Sequence, residues 1–338
     1  MRYLVPCVEQ MDRAAEELHD GSVVSSRLSL ILTDNIVELM LHRKCDYTFR
    51  SKRTLWTDPV EGGRYSRVNQ HRVLGHHFDE KAKFLLAEGD LTEQEFGFIR
   101  ICHAIRGEAY HTGLTHDEIL LALAWEYHAL ACDLFGRFKS PTRSYNPRAS
   151  VPPRFSKHIA PIDAATPMRA FSFAKEPELA ASLNCARPHL SVSLPVTLAN
   201  HMQAKVERLE KQLQYLASGN PDDHNLEKML LETQWWHDLF TDIPLAIEDH
   251  SDAYSEYIRQ KAETMRRSWK PKYTQLPLDS WKQRIERMRS ANRYSALTRH
   301  EQLGAEIEHI MDAVEKAAGA LDAHIEEQIE RRREARRD

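Results

Sequence analysis

The sequence predicts an all-α protein, on three observations. Glycine is scarce, 12 in 338 residues. Alternation of apolar and polar residues with period two is nearly absent, and apolar residues recur three and four apart through most of the chain. With 28% charged and 42% hydrophobic residues, the composition is that of a folded globular protein rather than a disordered one. A chain of 338 residues is long enough for two helical domains, because single cores rarely grow beyond roughly 250 residues.

The elements follow in order. A helix is expected from about Ser22 to Lys44, where Val24, Leu28, Ile31, Leu32, Val37, Leu39 and Met40 give an apolar surface too wide for a solvent-facing helix, so it belongs at the centre of a bundle. The stretch Arg43 to Arg72 contains Pro59, Gly62 and Gly63 and reads as loop or irregular structure. It is basic, with Arg43, Lys44, Arg50, Lys52, Arg53, Arg64, Arg67 and Arg72 against Asp46, Asp58 and Glu61. A short helix at Asp79 to Ala87 comes next. Thr92 and Glu95 then form a capping box that opens a helix through Phe96, Ile99, Ile101 and Ile105 to about His111, which Gly113 is placed to end in a left-handed turn. A last helix of this part, Thr115 to Phe135, carries Ile119, Leu120, Leu123, Leu130 and Leu134.

From 136 to 193 prolines accumulate, among them Pro141, Pro152, Pro153, Pro177 and Pro188, which disfavours long regular structure. The expected organisation is therefore a helical bundle over 1–137, a proline-rich connector over 138–193 and a helical, coiled-coil-like region over 194–338. In the last part Met202, Val206, Leu209, Leu213 and Leu216, and later Leu303, Ile307, Ile310, Val314, Ala317 and Leu321, repeat as short coiled-coil-like seams. The terminal ERRREARRD reads as a fraying, solvated helix end.

A formal charge of -4 gives no global attraction to nucleic acid or membrane, so any such binding needs a local patch. The five cysteines are spread out and never paired as C-x-x-C, which argues against a disulfide framework or zinc ribbon and fits a reducing compartment. No signal peptide or membrane span is evident, and the expected location is the cytoplasm. Phosphate loops, nucleophile elbows and dinucleotide fingerprints are missing. His71, His76 and His77 lack a carboxylate or cysteine at ligand spacing, Glu306 and His309 make a single E-x-x-H, and Trp235 with Trp236 reads as core.

One segment carries chemistry. In IRICHAIRGEAYHTG an apolar helix leads to Arg106 and then, five residues on, His111. The bare interval recurs at Arg13 and His19, Arg64 and His71, Arg72 and His77, and Arg293 and His300, so the context distinguishes it: an apolar helix before, a helix stop after, and an upstream helix, SSRLSLILTDNIVELMLHR, whose apolar run is interrupted by Asp34, Asn35 and Glu38. Over residues 1–137 or so this resembles the HEPN superfamily, whose nucleases carry an Arg, four to six residues and a His at the end of one helix of a small bundle and act as dimers. Gly107 stands where the family commonly has a polar residue, a role Glu108 is placed to take, and Gly113 stands where some members carry a modifiable tyrosine.

The resemblance implies an endoribonuclease without metal or cofactor, in which the RNA 2′-hydroxyl is the nucleophile, often in a toxin or phage-defence setting with an antitoxin or regulatory protein as partner. His111 suits general acid or base work, and Arg106 offers a planar cationic fork for the scissile phosphate. Asp34, Asn35 and Glu38 are placed to orient Arg106. Arg43, Lys44, Arg50, Lys52 and Arg53 are placed to guide an RNA backbone, with Tyr47, Phe49, Trp56 and Tyr65 to stack bases. Five helical positions set Arg106 and His111 about 140° apart, so convergence calls for a frayed helix end or a two-fold homodimer. The competing expectation is a non-catalytic helical adaptor that binds RNA or a protein.

Overall fold

The computed structural model describes residues 3–52, 69–111, 117–138, 152–158, 176–218, 225–241, 243 and 252–335, the side chains of 109–111 excepted. Among them are 13 α-helices and no strand, as the glycine-poor, three-four patterned sequence predicts. They divide into two units, residues 1–198 with 289–298, and residues 199–288 with 299–338.

The first unit opens with a helix that the sequence reading passed over, α1 (Leu4–Asp20), which buries Leu4, Cys7, Val8, Met11, Ala14, Ala15 and Leu18. Pro6 is tolerated because first-turn amides have no intrahelical acceptor. Gly21 ends the helix with φ 66°, a conformation any side chain would strain. The next helix, α2 (Val23–Ser51), starts where expected, with the Ser22 hydroxyl capping Ser25 N at 3.1 Å. It then runs past Lys44 into the stretch expected as loop. Burial of Cys45, Thr48 and Phe49 and stacking of Phe49 on Phe84 at 4.7 Å hold those extra turns. Residues 53–68, with Arg53, Trp56 and Tyr65, lie outside the described residues.

Central packing of α2 is confirmed by its contacts with α1, α4 (Phe78–Ala87), α5 (Glu93–His111) and α6 (Asp117–Arg137); α3 (Gln70–Val73) is a single turn. The buried stripe differs from the expected one. Ser26, Ser29, Leu30, Thr33, Asp34, Val37, Met40 and Leu41 face inward, while Val24, Leu28 and Leu39 are exposed. Small polar side chains at 26, 29 and 33 follow the same three-four spacing, and a purely apolar reading skips them. The capping box forms as expected, Thr92 N to Glu95 Oε2 at 3.0 Å and Glu95 N to Thr92 Oγ1 at 3.2 Å. His111 is the last residue of α5, whereas Gly113 lies outside the described residues.

Helix α6 is apolar and long enough to cross a membrane by length and composition alone, and 72% of its most apolar 18-residue stretch is buried in the bundle. On it sits His128, wholly buried with Nε2 2.9 Å from the Met11 carbonyl. Burial pushes this imidazole down to about 4, below its ordinary value near 6.5. Between those values the unfolded chain takes up a proton that the folded one excludes, so stability falls as pH drops from about 6.5 to about 4, by roughly 3 kcal/mol from this group. Urea unfolding of wild type and His128→Gln across that range checks this; the variant's profile is expected to be the flatter.

Short helices also occupy the described parts of the proline-rich stretch: α7 (Pro153–Ser156) packs on α1, and α8 (Glu176–Cys185) packs on α1 and α6. Asp12 ties the former down, its carboxylate 2.7 Å from Arg154, Lys157 and His158. Burial alone would raise the Asp12 carboxyl, but hydrogen bonds from these three side chains hold it below its usual range. These described parts are counted in the first unit, which runs to residue 198. Residues 289–298 join the same unit through Arg293 to Glu126 at 2.9 Å and Tyr294 against Phe98.

The second unit contains α9 (Leu194–Ser218), α10 (Leu226–Phe240), α11 (Asp252–Ser268), α12 (Leu278–Arg289) and α13 (Arg293–Glu334), with residues 194–198 of α9 and the first residues of α13 counted in the other unit. Both seams are buried over most of their length, from Met202 to Leu216 and from Leu303 to Val314. His201 meets His300 at 2.9 Å, Arg208 meets Glu315 at 3.1 Å and Tyr215 meets Asp322 at 2.5 Å, so α9 and α13 run parallel. Beyond Leu321 every described residue of α13 is exposed, as the charged terminal run predicts. Trp235 packs edge-on against Trp269, but Trp236 is exposed and stacked on exposed Phe240, not in the core.

Candidate functional site

The polar interruption of α2 is the floor of the site. Asp34 lies on the buried stripe of that helix with no exposed surface. A buried carboxylate needs donors or a countercharge, and three residues supply them. Tyr127 of α6 donates its hydroxyl to Oδ1 at 2.9 Å. His103 of α5 places Nδ1 2.9 Å from Oδ2 and 3.2 Å from Oδ1. Arg106, one turn on, places Nε 3.0 Å from Oδ2, at an angle that makes this an ion pair rather than a hydrogen bond. Its Nη2 donates to Asn35 Oδ1 at 3.2 Å.

The sequence explains why these groups meet. Phe98, Ile99, Cys102 and Ile105 form the buried stripe of α5, and His103 and Arg106, three apart, project from the same edge of it. Each side chain remains about 30% exposed, 30% for His103 and 27% for Arg106. Phe78 at the start of α4 stacks on the His103 ring at 3.7 Å and 1°, fixing its plane. An ionised carboxylate only accepts, so His103 donates through Nδ1, and in the neutral ring Nε2 then carries the lone pair. Burial, and after it the Asp34 charge, pushes the Tyr127 phenol well above its ordinary range, so it remains a donor.

The expected orienting residues separate into two groups. Asp34 and Asn35 reach Arg106. Glu38 instead serves Lys81, a buried ammonium 3.4 Å away. Glu108 is exposed one turn short of the helix end, and the side chain of His111 lies outside the described residues. Gly107 is helical, and among the described residues nothing outside its own helix backbone lies within 4 Å of a Cβ placed on it, so none of them requires glycine there. Gly107→Ala is expected to raise the unfolding free energy by about 0.5–1 kcal/mol through the helix preference of alanine, read by urea denaturation. A loss instead would mean that something outside the described residues packs against this turn.

Of the expected RNA-guiding cations, Arg43 lies over the Tyr3 ring at 4.1 Å. Lys44 pairs with Asp90 at 2.9 Å, Arg50 with Asp46 at 2.8 Å and Lys52 with Glu88 at 2.5 Å. Phe49 is buried and Tyr47 is partly exposed. The pattern missed in the sequence is His103-x-x-Arg106: its one-turn spacing places both residues on one helix edge, a more specific signal than the five-residue interval to His111. Tyr127 carried no signal, since a tyrosine in an apolar helix reads as core. Four of the five cysteines are buried, and burial pushes the Cys7, Cys45 and Cys132 thiols up to about 12, which leaves them unreactive.

Comparison with protein-family models, curated proteins and solved structures gives no match.

Proposed function

We propose that the first unit is a HEPN-type endoribonuclease that works as a dimer and cleaves RNA with the substrate's own 2′-hydroxyl, independently of metal. The observation that carries this reading is Arg106, anchored to Asn35 and Asp34 of the central helix yet partly open to solvent at the end of α5. In such a reaction a base takes the 2′-hydroxyl proton, the oxygen attacks phosphorus, and an acid protonates the departing 5′-oxygen, leaving a 2′,3′-cyclic phosphate. Arg106 would balance the charge that grows on the phosphate. His111 is the expected acid or base, and His103, held through Nδ1 with Nε2 opposite, is a second imidazole suited to the same work.

Support for a dimer comes from α2. Val24, Leu28, Asn35 and Leu39 are exposed and, at about 100° per residue, lie within an arc of roughly 60°. An isologous contact along that stripe would bring the two Arg106 ends together. A toxin or defence role, with an antitoxin or regulatory partner, is what the HEPN resemblance adds.

A second reading is favoured by the ion pairs of Lys44, Arg50 and Lys52. They lower the local positive potential available to RNA and suit a non-catalytic adaptor, for which the Asp34 cluster is only an interhelical tie. Wild type, Arg106→Ala and His111→Ala incubated with total RNA and transfer RNA in EDTA separate the two on a denaturing gel. Cleavage by wild type alone is expected; no cleavage, or equal cleavage by all three, sinks the nuclease reading and favours the adaptor.

A further inference from the structure

We propose that His237, Asp238 and His309, in the second unit, bind one first-row divalent transition-metal ion, zinc foremost, with Asp312 at the rim. Each of the three residues offers a ligand atom, and these atoms lie within 4.8 Å of one another. His309 Nε2 is 3.0 Å from Asp238 Oδ1, and His237 Nδ1 is 3.7 Å from Asp312 Oδ2. Ligands at the usual metal bond lengths near 2.0–2.1 Å stand about 3.0–3.4 Å apart, so small side-chain movements close the site.

A second observation points the same way. The His237 side chain is only 8% exposed, and its Nδ1 has no hydrogen-bond partner among the described residues. Buried polar nitrogens are rarely left so. Asp238 is already oriented: Trp269 Nε1 donates to its Oδ2 at 2.8 Å, leaving Oδ1 turned toward His309. This is the support that metal-ligating carboxylates receive in built sites.

The donor set also decides the class of ion. Two imidazoles and a carboxylate suit zinc and its neighbours rather than calcium or magnesium, which take oxygen ligands. Asp312 is shared, because Lys316 lies 2.7 Å from the same oxygen, so it is placed at the rim. Glu306, which forms the lone E-x-x-H with His309, accepts from Trp281 Nε1 at 2.8 Å and pairs with Arg284. With His237 and Asp238 on α10 and His309 on α13, a bound ion would tie those two helices together.

The test uses the full untagged chain, stripped with EDTA and dialysed, titrated with zinc chloride by calorimetry and with cobalt chloride by visible absorption. One ion per chain at micromolar affinity or tighter, d–d bands of a cobalt site with nitrogen ligands and a melting temperature raised by several degrees are expected. His309→Gln and Asp238→Asn should each weaken binding at least tenfold, while His324→Ala, on the exposed end of α13, should not. Absence of uptake by wild type, or wild-type affinity in both variants with native circular dichroism, overturns the site. Should a variant not fold, zinc protection of His237 and His309 from diethyl pyrocarbonate in wild type decides, and lack of protection overturns it.

Discussion

Asp34→Ala is expected to lower the unfolding free energy by about 3–5 kcal/mol, the range for removing one partner of a buried charged group. The Asp34 carboxylate is fully buried and faces Tyr127, His103 and Arg106. His103 and Arg106 are partly exposed and water can serve them, but the Tyr127 hydroxyl has no exposed surface and would lose its acceptor outright. Tyr127→Phe is expected to cost only about 1 kcal/mol, because the carboxylate keeps the His103 hydrogen bond and the Arg106 ion pair. Urea denaturation of the single and double variants measures both. A loss below about 1 kcal/mol for Asp34→Ala would mean that the cluster does not hold α5 and α6 to the central helix, and the anchoring of Arg106 would fail with it.

Residues whose role is set by periodic burial or by a local hydrogen bond were legible in the sequence. The Thr92 to Glu95 box, the Ser22 start of α2 and the seams from Met202 and from Leu303 all follow from patterns within a few residues. Helix α1 was not read because Pro6 near its start and charged residues along it mask a stripe of small apolar side chains. The extension of α2 past Lys44 was hidden for a different reason: Lys44 and Lys52 look like solvated loop cations until Asp90 and Glu88 come beside them from elsewhere in the bundle. The same limit applies to the site. Asp34 and Asn35 stood out as a polar break in an apolar run, but that Asp34 also binds His103 and Tyr127 depends on how three helices pack, which no spacing in one segment encodes. Asp238 and His309 likewise meet only through folding, 71 residues apart.

Arg106→Ala is expected to reduce RNA cleavage at least a hundredfold, the scale for removing a group that stabilises charge developing in the transition state, while lowering stability by only about 1 kcal/mol. The difference between these effects follows from geometry. Without Arg106, Asp34 retains the hydroxyl of Tyr127 and Nδ1 of His103, so the bundle stands, but no planar cation remains at that edge of α5. Arg106→Lys separates charge from shape. An ammonium on a flexible stem cannot bond Asn35 and pair with Asp34 while presenting a further fork to a phosphate, so a loss of tenfold or more is expected with net charge unchanged. Initial rates on a labelled RNA in EDTA, alongside melting temperatures of the same samples, measure both. Full activity in Arg106→Lys would mean that charge alone matters at this position and that the Asn35 bond has no part in the reaction. Full activity in Arg106→Ala would place the chemistry elsewhere, and the Asp34 cluster would then be a structural tie among α2, α5 and α6.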